Sequence, residues 1–385
     1  MLNEKDRTVL KLIKSALTGE KFDLPEDFSI ADYMQYASYR QIDALIYYGA
    51  VNCGLNSKDP QVRPAFKRVC AGVFIDEMQQ DALKKLYAQF NKNGIDYMTL
   101  KGINLKDIYP KRDMRTMSDA DILIKAEQYK NIPAVMEELG YRFVTESVHE
   151  YIWEISSLVV ELHKSLIPTY DGKLYDFFKK PWDMAVLKEN HHYLLNTNDE
   201  FVHIFTHFAK HYRAGGIGVK HLTDLYVFKQ KYKVDEAYVE QALKKIGVLE
   251  FYKNINDAIN FAFLDGKLTE KAEFVLKTVL NSGTYGVPEK KNVWASVMNK
   301  NSKWRRLLRL VFPPVKVLRQ KYPVLKKCVI LLPVMWVVRI FDTLLFKRYK
   351  IKNQQQKISY ATAERTDDYI RALEYVGFDM SEVKK

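Results

Sequence analysis

Apolar positions in the first ninety residues fall at helical intervals. Within 64–91, Val69, Val73, Leu83, Leu86 and Phe90 recur at roughly 3.6-residue spacing and predict a helix with one apolar face. Segments 6–17 and 30–50 show similar patterns and predict two more helices. The period changes after Gly94. Gly94-Ile-Asp-Tyr-Met-Thr-Leu100 is a turn followed by a strand, and a short helical stretch runs from Ile103 to about Tyr109. Segment 117–124 is strand-like, and 126–139 is helical up to Gly140, a suitable left-handed terminator. Segments 150–154 and 158–163 predict two strands joined as a hairpin through Ile155-Ser-Ser157. Beyond Pro168 helical spacing returns and continues to about residue 281. The order predicts an α+β protein with a small mixed-sheet core at 92–166. Helical regions at 1–91 and 167–285 would flank that core, and a separate arm would occupy 286–385.

Polar residues inside these apolar segments carry the chemistry. Asp119 and Asp121 lie at i and i+2 at the start of a strand, so their side chains point the same way. Two adjacent carboxylates repel unless a cation or a shared proton relieves them. Magnesium favours such oxygen ligands and keeps positions for substrate phosphates. Upstream, Lys101-Gly102 sits where a strand hands over to a helix. A glycine there lets backbone amides approach a phosphate, with Lys101 adding positive charge; the alternative is a tight turn with a solvated lysine. Downstream, Glu161 lies between Val160 and Leu162. A carboxylate in an apolar strand either binds a metal or faces water from an edge strand. His163 shares its face, and would contact substrate, orient Glu161, or simply lie partly exposed.

This order of elements resembles the nucleotidyltransferase superfamily that includes polymerase beta. That pattern is an apolar-Gly corner, then Asp-x-Asp or Asp-x-Glu, then a lone acid between apolar residues. Leu100-Lys-Gly, Tyr109-Pro110, Arg115-Thr-Met-Ser-Asp-Ala-Asp-Ile-Leu-Ile124 and Val160-Glu-Leu-His-Lys-Ser165 are similar to one branch in particular, the uncharacterised bacterial nucleotidyltransferases. The likeness spans roughly 90–230. It implies that Asp119, Asp121 and Glu161 bind metal and that Gly102 is the phosphate-corner glycine. The chain departs from the pattern at Ile103, where the superfamily often has serine, and in a longer gap between Gly102 and Asp119. Lys101 and Arg115 are the groups that would replace the lost serine contact. The implied reaction moves a nucleoside monophosphate from a nucleoside triphosphate to a hydroxyl-type acceptor, through Mg2+ or Mn2+. The acceptor could be a small molecule, a sugar, a protein or an RNA end. The alternatives are a catalytically inert nucleotide-binding protein, against which an intact triad argues, and a peripheral membrane or polyanion-binding protein acting through the C-terminal arm.

Within 201–212, His203, His207 and His211 recur every four residues beside Phe201, Ile204, Phe205, Phe208 and Tyr212. Eight helical residues span about 12 Å, so one ion could take two of these histidines but hardly three. The stripe borders a catalytic cleft or packs against another helix. The resemblance favours a cleft, with Lys210, Lys220 and Asp224 as further candidates; Asp224 would otherwise bridge two helices from a buried position. Gly215-Gly216-Ile-Gly218 follows a helix, so it is not a dinucleotide fingerprint. A flexible loop near the cleft is preferred over a phosphate cradle.

Charge separates the arm from the rest. Residues 300–350 hold fourteen Lys or Arg and one acid, Asp342, a local net of +13 that equals the formal charge of the whole chain. The same stretch contains Cys328-Val-Ile-Leu-Leu-Pro-Val-Met-Trp-Val-Val338, too short to cross a bilayer. It suits a core helix with a solvated basic face, an anionic membrane surface, or a nucleic acid or other polyanion. No specific nucleic-acid motif accompanies the charge. Three cysteines, Cys53, Cys70 and Cys328, show neither a disulfide nor a zinc spacing. With a polar, mixed-charge beginning, they predict a cytoplasmic protein, the arm offering peripheral membrane attachment. A hydrophobic content of 47% excludes wholesale disorder.

Overall fold

The computed structural model describes residues 1–147, 150–284, 286–298 and 363–381, with shorter runs between 312 and 346. Of the predicted basic arm, 299–311 and 347–362 lie outside the described residues. The chain divides into two compact units. The first holds residues 1–212, 216–286 and 375–379; the second holds 213–215, 287–374 and 380–385.

The first unit opens with helices α1 (Glu4–Thr18), α2 (Ile30–Arg40), α3 (Asp43–Asn52) and α4 (Arg63–Lys92). Strand β1 (Tyr97–Thr99) leads into the short α5 (Gly102–Lys106), then β2 (Asp119–Ile124), α6 (Ile132–Glu138), β3 (Arg142–Glu146), β4 (Glu150–Ile155) and β5 (Leu158–His163). After α7 (Lys173–Phe177) come β6 (Ala185–Glu189) and β7 (His192–Leu195), and then α8 (Thr197–Arg213) and α9 (Val219–Lys231). Helices α10 (Glu236–Ile246), α11 (Leu249–Phe263) and α12 (Glu270–Asn281) follow.

The strands form one seven-stranded mixed sheet in the order β3-β4-β5-β2-β1-β7-β6. β2 runs parallel to β5 and antiparallel to β1, near the centre. Alternation along β2 sends Ala120, Ile122 and Ile124 into a core shared with Leu83, Leu86 and Phe90 of α4 and Ile132, Val135 and Met136 of α6. Asp119 and Asp121 therefore project from the opposite face. The α+β class and the mixed sheet agree with the sequence pattern.

Three local expectations need correction. The single helix expected over 30–50 is two, because Gln41 takes a left-handed conformation (φ 56°) and ends α2. β6 and β7 interrupt the helical stretch expected after Pro168, and β7 pairs in parallel with β1. β3 adds a strand beside the expected hairpin. β3 and most of β6 are exposed edge strands held by backbone pairing, so no buried face marks them in the sequence. Val73, read as part of the apolar face of α4, is 39% exposed.

The second unit contains α13 (Pro288–Met298), the helices Val324–Lys327 and Leu332–Phe346, and all but the last residue of the helix Ala363–Tyr375. Among the described residues no helix is long and apolar enough to cross a membrane.

Candidate active site

β5 lies between β4 and β2, so Glu161 is on an interior strand; the edge-strand reading of this residue does not hold. Register places Glu161 directly beside Asp121, and His163 beside Leu123. Ligating atoms of Asp121, Glu161 and His163 all lie within 4.8 Å of one another. His163 is buried, against the alternative of a partly exposed ring, and its Nε2–H donates to Asp121 Oδ1 at 2.8 Å. The Lys101 ammonium donates to the same oxygen at 3.0 Å. Lys101 caps α5 with φ 43° and ψ −111°, a sparsely populated conformation for a residue with a side chain.

These groups open onto a cavity of about 290 Å3. Lys101, Gly102, Asp119, Asp121 and Glu161 contribute from the sheet side, and His207, His211, Lys220 and His221 from α8 and α9. Residues 26–257 match the model of a family described as uncharacterised nucleotidyltransferase. The chain belongs to that nucleotidyltransferase family. Two solved structures of ANT(2'')-Ia are also similar to it, each at 13% identity. One is a crystal structure in complex with adenylyl-2''-tobramycin, with a TM-score of 0.34 and coverage of 44% of this chain and 97% of that one. The other is a solution structure of this antibiotic-resistance factor, with a TM-score of 0.32 and coverage of 48% and 97%. No curated protein matches the sequence.

In this nucleotidyltransferase the carboxylates are electrostatically unequal. Burial alone would raise Asp121, but the Lys101 ammonium and the His163 hydrogen bond outweigh it and hold Asp121 well below the usual carboxylate range. Burial, then the charges of Asp121, Asp119 and Glu150, push Glu161 up to about 8. Burial and Asp121 also raise Asp119. Asp121 already has a cationic partner in Lys101, while burial and neighbouring carboxylates raise Glu161 and Asp119.

Arg115 is placed differently from the phosphate contact expected of it. It is buried and meets Asp224 through both arms of its fork, Nε to Oδ1 at 2.9 Å and Nη2 to Oδ2 at 3.1 Å. The Tyr109 hydroxyl donates to Asp224 Oδ1 at 2.8 Å. Asp224 thus joins the segment before β2 to α9 from a buried position. Gly102 is required by the same pair, because a Cβ there would lie 2.9 Å from Arg115 Nη1.

Lys220 is buried beside this pair and donates to Gln41 Oε1 at 3.1 Å. Burial and the Arg115 charge pull its ammonium down to about 7. The helix break at Gln41 therefore supplies a polar contact at the edge of the site. His207 and His211 line the cavity with ring centroids 4.4 Å apart, and burial holds His207 well below its ordinary value. His203 instead packs edge-on against Phe178 at 5.6 Å. Lys210 pairs with Asp171 at 2.8 Å and does not line the cavity.

The glycine run is packed. A Cβ at Gly216 would meet Ser282 Oγ at 2.7 Å, and Ile217 lines the cavity. His221 and Thr284 are the site residues that sequence reasoning missed. His221 had a signal, one position from Lys220 on a helix already under suspicion. Thr284 had none, since it lies in a loop after α12. Its buried hydroxyl has no hydrogen-bond partner among the described residues, and it faces the same cavity.

Proposed function

We propose that the protein transfers a nucleoside monophosphate from a nucleoside triphosphate to a hydroxyl-type acceptor, with Mg2+ or Mn2+ as cofactor. The observation that carries this reading is the convergence of Asp119, Asp121 and Glu161 on one cavity in a nucleotidyltransferase family member. The cluster of Asp121, Glu161 and His163, with Asp119 lining the same cavity, fits a divalent ion through its carboxylate oxygens and one imidazole. Asp119 and Asp121 would hold two ions, and Glu161 the one nearer the nucleophile. When bound, the metal would neutralise phosphate charge and acidify the attacking hydroxyl.

The chain's own residues supply the rest. His163 holds Asp121 in one orientation through its Nε2 hydrogen bond. Lys101 neutralises Asp121 in the metal-free protein. Its flexible ammonium is the group best placed to turn to a phosphate oxygen beside Gly102 once Asp121 takes a cation. Arg115 reaches a phosphate only by leaving Asp224, so we assign it to holding the segment that leads into β2. We assign Glu161, which lines the cavity beside Asp121, to take the acceptor's proton. His207 and Lys220 remain candidate substrate contacts on the helical wall. Three free cysteines favour a cytoplasmic location.

Calorimetry with the four ribonucleoside triphosphates, with and without Mg2+, tests the reading. Binding should require the metal and disappear in Asp119→Asn/Asp121→Asn, whose folding circular dichroism would verify. Undiminished metal-dependent binding by that folded variant would remove the carboxylates from the mechanism.

A further inference from the structure

The helix Leu332–Phe346 and the turn before it expose apolar side chains where a helix in water carries polar ones. Ile330, Pro333, Val334, Val337 and Val338 are all exposed, at i, i+3, i+4, i+7 and i+8, which is one helical face. Ile330 is 88% exposed, Val334 51% and Val337 52%. On the other side Leu331, Leu332, Met335 and Trp336 are partly buried. Trp336 donates its Nε1–H to Pro313 O at 2.9 Å and meets the Phe312 ring edge-on at 5.2 Å. That anchoring leaves outside an apolar face that a core helix would bury. A contiguous aliphatic surface of this kind marks an interaction site.

The charge of the flanking sequence selects the partner. Residues 300–350 carry a net of +13 with Asp342 as the one acid. A nucleic acid would match the charge, but single strands are gripped by aromatic stacking, and this face is aliphatic. A second copy would bring one strongly basic arm against another. An anionic bilayer satisfies both features, with headgroups for Lys and Arg and an acyl boundary for Ile and Val. At 15 residues the helix is about 22 Å long, short of the roughly 30 Å hydrocarbon core, so it would lie along the surface. We propose that the exposed face of Ile330, Val334, Val337 and Val338 docks the protein on anionic lipid surfaces, these side chains entering the headgroup–acyl boundary. This inference is independent of the catalytic reading.

Co-sedimentation of the full chain with vesicles tests it, using phosphatidylcholine alone and phosphatidylcholine mixed with phosphatidylserine. Binding is expected only with phosphatidylserine and should weaken with salt. Val334→Asp/Val337→Asp alters exposed positions, and circular dichroism would verify its fold. Its vesicle affinity should fall about tenfold or more, from the apolar area withheld from the boundary. Absence of wild-type binding to the anionic vesicles would overturn the proposal. So would undiminished binding by the variant, which would leave charge alone as the attraction. Two other results would reassign the face: polynucleotide binding that depends on Val334 and Val337, or a wild-type dimer that the variant converts to monomer.

Discussion

Replacing Asp224 with Asn changes one atom at the most consequential buried contact in the first unit. The carboxylate accepts from Arg115 Nε at 2.9 Å, Arg115 Nη2 at 3.1 Å and the Tyr109 hydroxyl at 2.8 Å. The side chains of Arg115 and Asp224 are 7% and 2% exposed, so solvent screens little of the attraction. An amide offers one accepting oxygen and an NH2 group, which must then face a donor. Removing one partner of such a pair costs about 3–5 kcal/mol. That is a large share of the roughly 5–15 kcal/mol that holds a typical domain folded. Urea unfolding at neutral pH, followed by far-ultraviolet circular dichroism, would measure it for Asp224→Asn, Arg115→Met and Arg115→Met/Asp224→Leu. Each single change should lose most of that amount, and the double change should recover much of it, because an apolar pair leaves no charge buried. Burial would raise the Asp224 carboxyl, but Arg115 and His221 hold it well below the usual carboxylate range. Its contribution is therefore complete above the unfolded value of about 3.9 and is lost as pH falls through the folded one. Wild type should destabilise on acidification below about pH 4 more steeply than Asp224→Asn. If Asp224→Asn stayed within about 1 kcal/mol of wild type, the bidentate pair would not exist as described and the reasoning would fail.

Two further outcomes follow from the site. Glu161, raised to about 8, keeps its proton in the metal-free fold. Its contribution to stability is present below the unfolded value of about 4.3 and is lost as pH rises through about 8. A divalent ion needs the deprotonated form, so the Mg2+-induced rise in Tm should grow between about pH 6 and pH 9 in wild type and be flat in Glu161→Gln; equal slopes in the two proteins would rule out Glu161 as a ligand. Gly102→Ala places a Cβ 2.9 Å from Arg115 Nη1, on the guanidinium that Asp224 holds through Nε and Nη2. It should cost about 1–3 kcal/mol, as overpacking does, and less in an Arg115→Met background; an equal cost in both backgrounds would mean that Arg115 is not what Gly102 accommodates.

The parts of the fold visible in the sequence are those whose side chains divide cleanly between two environments. β2 turns Asp119 and Asp121 toward the cavity and Ala120, Ile122 and Ile124 into the core, and α4 buries Leu83, Leu86 and Phe90 at helical intervals, so each leaves a trace in the chain. β3 and β6 are on the sheet edges, where the backbone makes the pairing and exposed side chains need follow no period. The break at Gln41 is hidden for a related reason. Glutamine is an ordinary helix residue, and its left-handed turn accompanies contacts far along the chain, with Thr116 and Lys220.

The site divides in the same way. Asp119, Asp121 and Glu161 could be placed together because strand alternation and flanking apolar residues determine the face on which each emerges. Arg115 could not be assigned, because its role depends on a partner more than on a face. As a cation four residues before Asp119 it suits a phosphate as well as a carboxylate, and no local pattern announces Asp224, which lies 109 residues further on. Gly102 shows the consequence. A glycine at a strand–helix corner fits a phosphate-binding turn, yet the same missing side chain also makes room for the Arg115 guanidinium. Periodicity reports where a side chain points, and the partner it finds there depends on tertiary packing. Tests of this site therefore carry most weight at Arg115 and Gly102, where one residue type serves either a ligand or the fold.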